Sequence, residues 1–230
     1  MKFIAVLTLA AAAFVPAARA QAPYAAPQNV LQLSASGSVE VQQDLLSLSL
    51  TTTRDGPDAN AVQAQLKAAL DAAVTEAKKA AQPGQLDVRT GNFGMYPRYT
   101  QAGKIGGWNG TAELILEGRD FPRITQTAAK ITTLTMGGVS FGLSREQRAK
   151  VEGDAQAQAI EQFKAKAAEL AKGFGFSGYT LREVAVNAND QGGARPMRMA
   201  MAKSASDSPV AVEPGKANVT VTVSGSVQLK

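Results

Sequence analysis

Two stretches near opposite ends of the chain repeat one pattern, and that repetition narrows the choice of fold. Val30 to Val41 alternates, with Leu31, Leu33, Ala35, Val39 and Val41 on one side. Ala217 to Leu229 alternates again through Val219, Val221, Val223, Val227 and Leu229. A period of two is the mark of a strand with one buried face. The centres also match, Ala35-Ser36-Gly37-Ser38-Val39 against Val223-Ser224-Gly225-Ser226-Val227. The match is too short to establish a duplication, but it predicts neighbouring strands in one sheet that brings the chain ends together. Gly37 predicts a bulge or bend in the first of them.

The residues between alternate strand and helix signals. Leu46, Leu48 and Leu50 form a second strand that stops at Arg54-Asp55-Gly56-Pro57. A helix then starts at Pro57 or Asp58, carries Val62, Leu66, Ala69, Leu70, Ala73 and Ala77 on one face, and ends at Pro83-Gly84. Leu86 to Tyr99 is extended, Gln101 to Lys104 reads as a hairpin loop, and Trp108 to Glu117 is the return strand. Asp120 caps a short helix with Phe121, Ile124, Ala128 and Ile131 inward, and Gly137-Gly138 leads into the short strand Val139 to Phe141. Ser144 opens the longest helix. Its hydroxyl accepts the Gln147 N–H while the Gln147 side chain reaches back, as in a capping box. Val151, Ala155, Ala159, Phe163, Ala167 and Leu170 form its apolar stripe, and Tyr179 to Val186 is a further strand. Residues 187–215 read as a long mobile loop. This order implies an α+β fold: a mostly antiparallel sheet with helices packed on one face, first and last strands neighbouring. The other face is solvated or covered by a second subunit.

Export is expected from the start of the chain. Lys2, the apolar stretch Phe3 to Val15 and Ala18-Arg19-Ala20 make residues 1–20 a cleavable signal peptide. A retained anchor or a buried N-terminal helix is the competing reading, but a membrane span needs about 20 apolar residues. Residues 21–29 then form a flexible leader and 30–230 the folded domain, in the periplasm, with outer-membrane or envelope association as a further expectation. The chain has 0 cysteines, so it has neither disulfides nor a site for lipoprotein acylation. It has 0 histidines, which removes the usual zinc ligand and the usual general base. Loss of Lys2 and Arg19 takes the formal charge from +5 to +3, and the remaining Lys and Arg are scattered, which argues against nucleic acid as a partner.

No catalytic residue is expected. With 0 histidines a histidine-based triad is impossible, Walker patterns are absent, and the glycine-rich Gly103 to Gly107 precedes no helix that would cradle phosphate. Glu113 and Glu117 share a strand face and suit either acid–base work or a solvated surface, the latter being the simpler reading. No cofactor is expected. Met197, Met199 and Met201 alternate and resemble soft Cu(I) ligands, but Arg195, Arg198 and Lys203 repel a cation. The competing reading is a loop that is flexible or packs on a partner. Phe93, Tyr96, Arg98, Tyr99 and Trp108 are the candidate interface, since aromatics and arginine at strand ends favour subunit contacts. Ordinary hairpin packing is the alternative.

Several motifs taken in order resemble one family. Ser36-Gly37-Ser38-Val39-Glu40-Val41 is followed by Asp44 and Leu48-Ser49-Leu50. Thr90-Gly91-Asn92-Phe93, Pro97-x-Tyr99, Val139 to Ser144 and Ala165-Lys166-Ala167-x-x-Leu170-Ala171 come later. Together they resemble the SIMPL domain (DUF541) family, including its periplasmic 26/28-kDa outer-membrane-associated immunogenic proteins, over nearly all of Leu31 to Lys230. The family pattern has Pro-Asp where this chain has Gln43-Asp44, which predicts a softer turn into the second strand. The resemblance implies an envelope protein linked to stress tolerance, including oxidative stress, and a homo-oligomer, ring- or channel-like in at least one type. It transfers no catalytic residue. Two functions follow: a non-enzymatic, self-associating envelope protein, or a soluble binding module for a small hydrophobic molecule, peptide or metal.

Overall fold

The computed structural model describes residues 28–189 and 213–230. The expected signal peptide, all but the last two residues of the expected leader, and Met197, Met199 and Met201 lie outside the described residues. The elements run β1 (Val30–Gln42), β2 (Leu45–Gly56), α1 (Ala59–Lys78), β3 (Asp87–Tyr99), β4 (Ile105–Gly118), α2 (Phe121–Lys130), β5 (Thr135–Gly142), α3 (Arg145–Gly173), β6 (Tyr179–Asn189) and β7 (Lys216–Leu229). Every strand pairing is antiparallel, which gives the expected α+β fold.

The first and last strands do pair, from Val30↔Gln228 to Gln42↔Lys216. The strands nevertheless divide into two sheets, β1-β7-β6 and β3-β4-β2-β5, where the sequence suggests one. The cause is the link between β1 and β2. Only Gln43 and Asp44 separate them, neither a glycine nor a proline, so the chain passes from one sheet into the other instead of folding back on itself.

Each sheet buries one face under its own helices. In the larger half, α1 and α2 cover β2 and β4, and Leu46, Leu48, Leu50, Leu66, Leu114, Leu116 and Ile124 form a continuous core. In the smaller half, α3 lies over β1 and β7 and brings Ala159, Phe163 and Ala167 against Leu33, Val223 and Val227. The extensive packing between elements stays within each half.

The β1–β7 register is unbroken through Gly37, so no bulge forms there. A Cβ at Gly37 would sit 2.1 Å from the Ala155 carbonyl oxygen and 2.6 Å from the Ala159 nitrogen. The glycine instead lets α3 press its backbone onto the sheet, helped by the small Ala155 and Ala159. Its counterpart Gly225 meets a different neighbour, since a Cβ there would lie 2.2 Å from the Glu183 carbonyl oxygen. That is where β6 bulges at Arg182, as its register on β7 shifts between Leu181 and Glu183. Two identical Ser-Gly-Ser triplets therefore solve two separate packing problems. β6 also continues through Asn189, so the first three residues of the expected 187–215 loop are strand.

Candidate functional site

The candidate interface residues sit on the β3–β4 hairpin, and the pleat divides them. Phe93 pairs with Ala112 and Pro97 with Trp108, on the face turned toward the helices, and Trp108 is half-buried against the larger core. Tyr96 and Arg98 pair with Asn109 and Gly107 and point to the open face. There the Arg98 Nε lies 3.8 Å from Asp55 Oδ1, which also accepts a hydrogen bond from Asn109 Nδ2 at 3.0 Å. Tyr99 follows a register shift and pairs with Ile105 near the hairpin tip. Phe93, Tyr96, Tyr99 and Ile105 are between 41 and 66 % exposed. The hairpin thus projects apolar surface, though the five residues do not form one patch.

The carboxylates are engaged in building the fold. Glu113 Oε2 accepts the Asn92 N–H at 3.0 Å, beside a bulge where β3 slips between Thr90 and Phe93. A side chain at Gly91 would collide with Glu113, which gives the Thr90-Gly91-Asn92-Phe93 motif a structural reason. Glu117 faces Arg89 at 3.6 Å. Asp58 and Asp120 cap α1 and α2, accepting from the N–H groups of Ala61 at 2.7 Å and Arg123 at 3.0 Å. The side-chain hydrogen bond from Arg123, followed by its backbone N–H, holds the Asp120 carboxyl below the usual range. The hydrogen bond to Glu40 across β1 and β7 raises Lys216 above the ordinary lysine value. Among the described residues no three acidic side chains gather into a group that would hold a metal.

The most connected polar cluster lies at the crossing between the two sheets. Asp44 Oδ1 accepts the Ser144 N–H at 2.7 Å and Oδ2 accepts the Ser144 hydroxyl at 2.6 Å, with Arg119 Nε 3.5 Å away. Ser144 Oγ in turn accepts the Gln147 N–H at 3.2 Å. Half of the expected capping box is therefore present, while Asp44 takes the Ser144 N–H that the Gln147 side chain was expected to reach. Gln43 is only 7 % exposed. It donates its N–H to Gly215 O at 3.0 Å and its Nε2 to Phe141 O at 3.2 Å. A proline at this position would have no N–H to offer Gly215. The sequence offers no local signal for this cluster, whose partners lie about a hundred residues apart.

Chemically the cluster is a structural clasp. The Ser144 hydroxyl is held between a carboxylate and a helix N–H in a buried position. Two shallow surface grooves are found elsewhere. One of about 500 Å³ runs between the open edge of β1 and α3, lined by Ser34, Ser36, Gln162 and Lys166 among others. The other, about 400 Å³, lies against Asp120, Arg123 and Lys130 of α2. Among the described residues, no helix is long and apolar enough to cross a membrane.

Comparison with curated proteins yields no match. A family model described as SIMPL, protein of unknown function (DUF541), matches residues 31–227. That span takes in both sheets, all three helices and the clasp between the halves, and the chain belongs to the SIMPL (DUF541) family.

Proposed function

We propose that this protein is a non-enzymatic component of the bacterial periplasm and envelope, exported by its signal peptide, which self-associates and supports tolerance of envelope or oxidative stress. The observation that carries this reading is the apolar surface of the β3–β4 hairpin, where Phe93, Tyr96, Tyr99 and Ile105 stand in solvent. Exposed aromatic side chains near strand ends favour subunit contacts, here on both faces of the hairpin. The carboxylates support it too, since Asp44, Asp58, Asp120 and Glu113 are committed to caps and a bulge.

The second reading, a periplasmic binding module for a small hydrophobic molecule, peptide or metal, draws on the groove beside β1. That groove is polar and open, and an extended peptide suits it best of the three.

The test is molar mass by size-exclusion chromatography with light scattering over a concentration series, for the native chain and for Tyr96→Ala with Tyr99→Ala. In parallel, a strain lacking the gene is challenged with peroxide and detergent. A discrete assembly weakened by the double substitution, together with a sensitive deletion strain, is expected. A monomer at every concentration and an unaffected deletion strain would overturn the proposal, and a co-purifying peptide would favour the second reading.

A further inference from the structure

The four sheet edges of the molecule are not equally protected. Along β1, Lys166 Nζ donates to the edge carbonyl of Ser34 at 3.1 Å. β3 carries Pro97, Arg89 and Arg98 and breaks register twice. β5 is eight residues long and shifts register near Gly137-Gly138. β6 also carries charges, at Arg182 and Glu183, and a break in register, but along it Leu181, Val184 and Val186 are 56, 44 and 46 % exposed. These side chains lie on the face that α3 covers over β1 and β7 but scarcely reaches over β6. Among the described residues nothing covers this edge or this face, and an open edge with apolar side chains is a template for another strand.

The bulge at Arg182 determines which main-chain groups remain on that edge. Gly178 exchanges both main-chain bonds with Lys230, so alternation turns the N–H and C=O of Tyr179 and Leu181 outward. Past the bulge, the same alternation turns those of Val184 and Val186 outward. The residues with open main-chain groups are thus also those with side chains on the α3 face. β6 can meet an antiparallel copy of itself in one register that satisfies both sets at once. Leu181 then stands opposite Val184 of the second copy, and Tyr179 opposite Val186. In the same register Arg182 opposes Glu183, and the arrangement is reciprocal, as a twofold contact requires. The two bulges face each other across the axis. Each bows back toward its own β7, where the absence of a side chain on Gly225 makes room for Glu183.

We infer that β6 is the seat of a twofold contact between two copies of this chain, joining their three-stranded sheets edge to edge. The inference rests on the self-association proposed above and names a surface for it other than the β3–β4 hairpin. Apolar pairs Leu181–Val184 and Tyr179–Val186 supply the attraction, and the Arg182–Glu183 pairs select the register.

The chain has no cysteine, so introduced thiols report unambiguously. Leu181→Cys and Val184→Cys proteins are purified separately, mixed and oxidised gently. A disulfide-linked dimer is expected in the mixture and little from either protein alone. Arg182→Glu is expected to raise the dissociation constant of this contact about tenfold, by setting like charges opposite each other twice. Adding Glu183→Arg is expected to restore it. These residues are exposed, so circular dichroism should show the native fold in each variant. An assembly that forms without the mixed disulfide and ignores Arg182→Glu overturns the β6 contact while leaving self-association standing. A chain that stays monomeric from micromolar to millimolar concentration overturns both. If Leu181→Cys is also shielded from a thiol reagent in that monomer, the edge is covered by the chain itself.

Discussion

Glycine is where a single atom decides most in this protein. Gly37 lies inside β1 and Gly153 inside α3, and their situations are opposite. A Cβ at Gly37 would meet Ala155 O at 2.1 Å, backbone against backbone, and the helix cannot yield without lifting off the sheet. A Cβ at Gly153, inside α3, would meet nothing within 4 Å. Gly37→Ala is therefore expected to destabilise the protein by about 3 kcal/mol. Gly153→Ala is expected to stabilise it by about 1 kcal/mol through helix propensity alone. Urea denaturation of the two variants checks this, and equal small effects would show that α3 does not rest on β1 as described. The strand pattern around Gly37 suggests a bulge or bend, and no bulge forms there because the register runs through it unbroken. Alternation reveals which face of a strand is buried and not how closely a helix approaches it.

At the scale of elements, the helix caps were the most legible feature. Asp120 and Ser144 were identified as N-caps from position alone, since a capping side chain acts on N–H groups two or three residues away. The strand signals were equally clear in β1, β2, β4 and β7, where one face is buried. They were weaker in β3, where the bulge at Gly91-Asn92 interrupts the period, and in β6, whose apolar side chains stay exposed. The Asp120 cap also carries a pH signature. Its carboxyl titrates lower in the folded chain than in the unfolded one, so between those two values the unfolded chain binds more protons. Its contribution is complete above the unfolded value and disappears as pH falls through the folded one. The melting temperature of the native protein should exceed that of Asp120→Ala near neutral pH, and the gap should close as pH falls through the lowered folded-state value. Because the Asp120 side chain is still about a third exposed, at 30 %, the gap should be small and should shrink in high salt. A gap that persists unchanged in acid would mean that the ionised carboxylate is not what stabilises α2.

At the scale of the whole molecule, the division into two sheets is what local patterns could not show. Each half has its own helices and core, and the polar links described at their junction centre on Gln43, Asp44 and Ser144. Apart from the Ser144–Gln147 cap, those links join residues far apart along the chain, so no short window of sequence contains both ends of them. The same architecture predicts how instability spreads. Phe163 is buried at the centre of the smaller core, between α3 and the β1–β7 pair. Phe163→Ala should cost about 3 to 5 kcal/mol there. If the junction transmits little of that loss, amide exchange should quicken through β1, α3 and β7 while β2, β4 and α1 keep their protection. Leu114→Ala, in the larger core, should give the reverse pattern. Hydrogen–deuterium exchange read by mass spectrometry separates the alternatives. If either substitution quickens exchange in both halves together, the clasp at Asp44 and Ser144 makes them one cooperative unit. Exchange confined to the substituted half would mean that the two sheets are stabilised separately and that the clasp chiefly sets how they are joined.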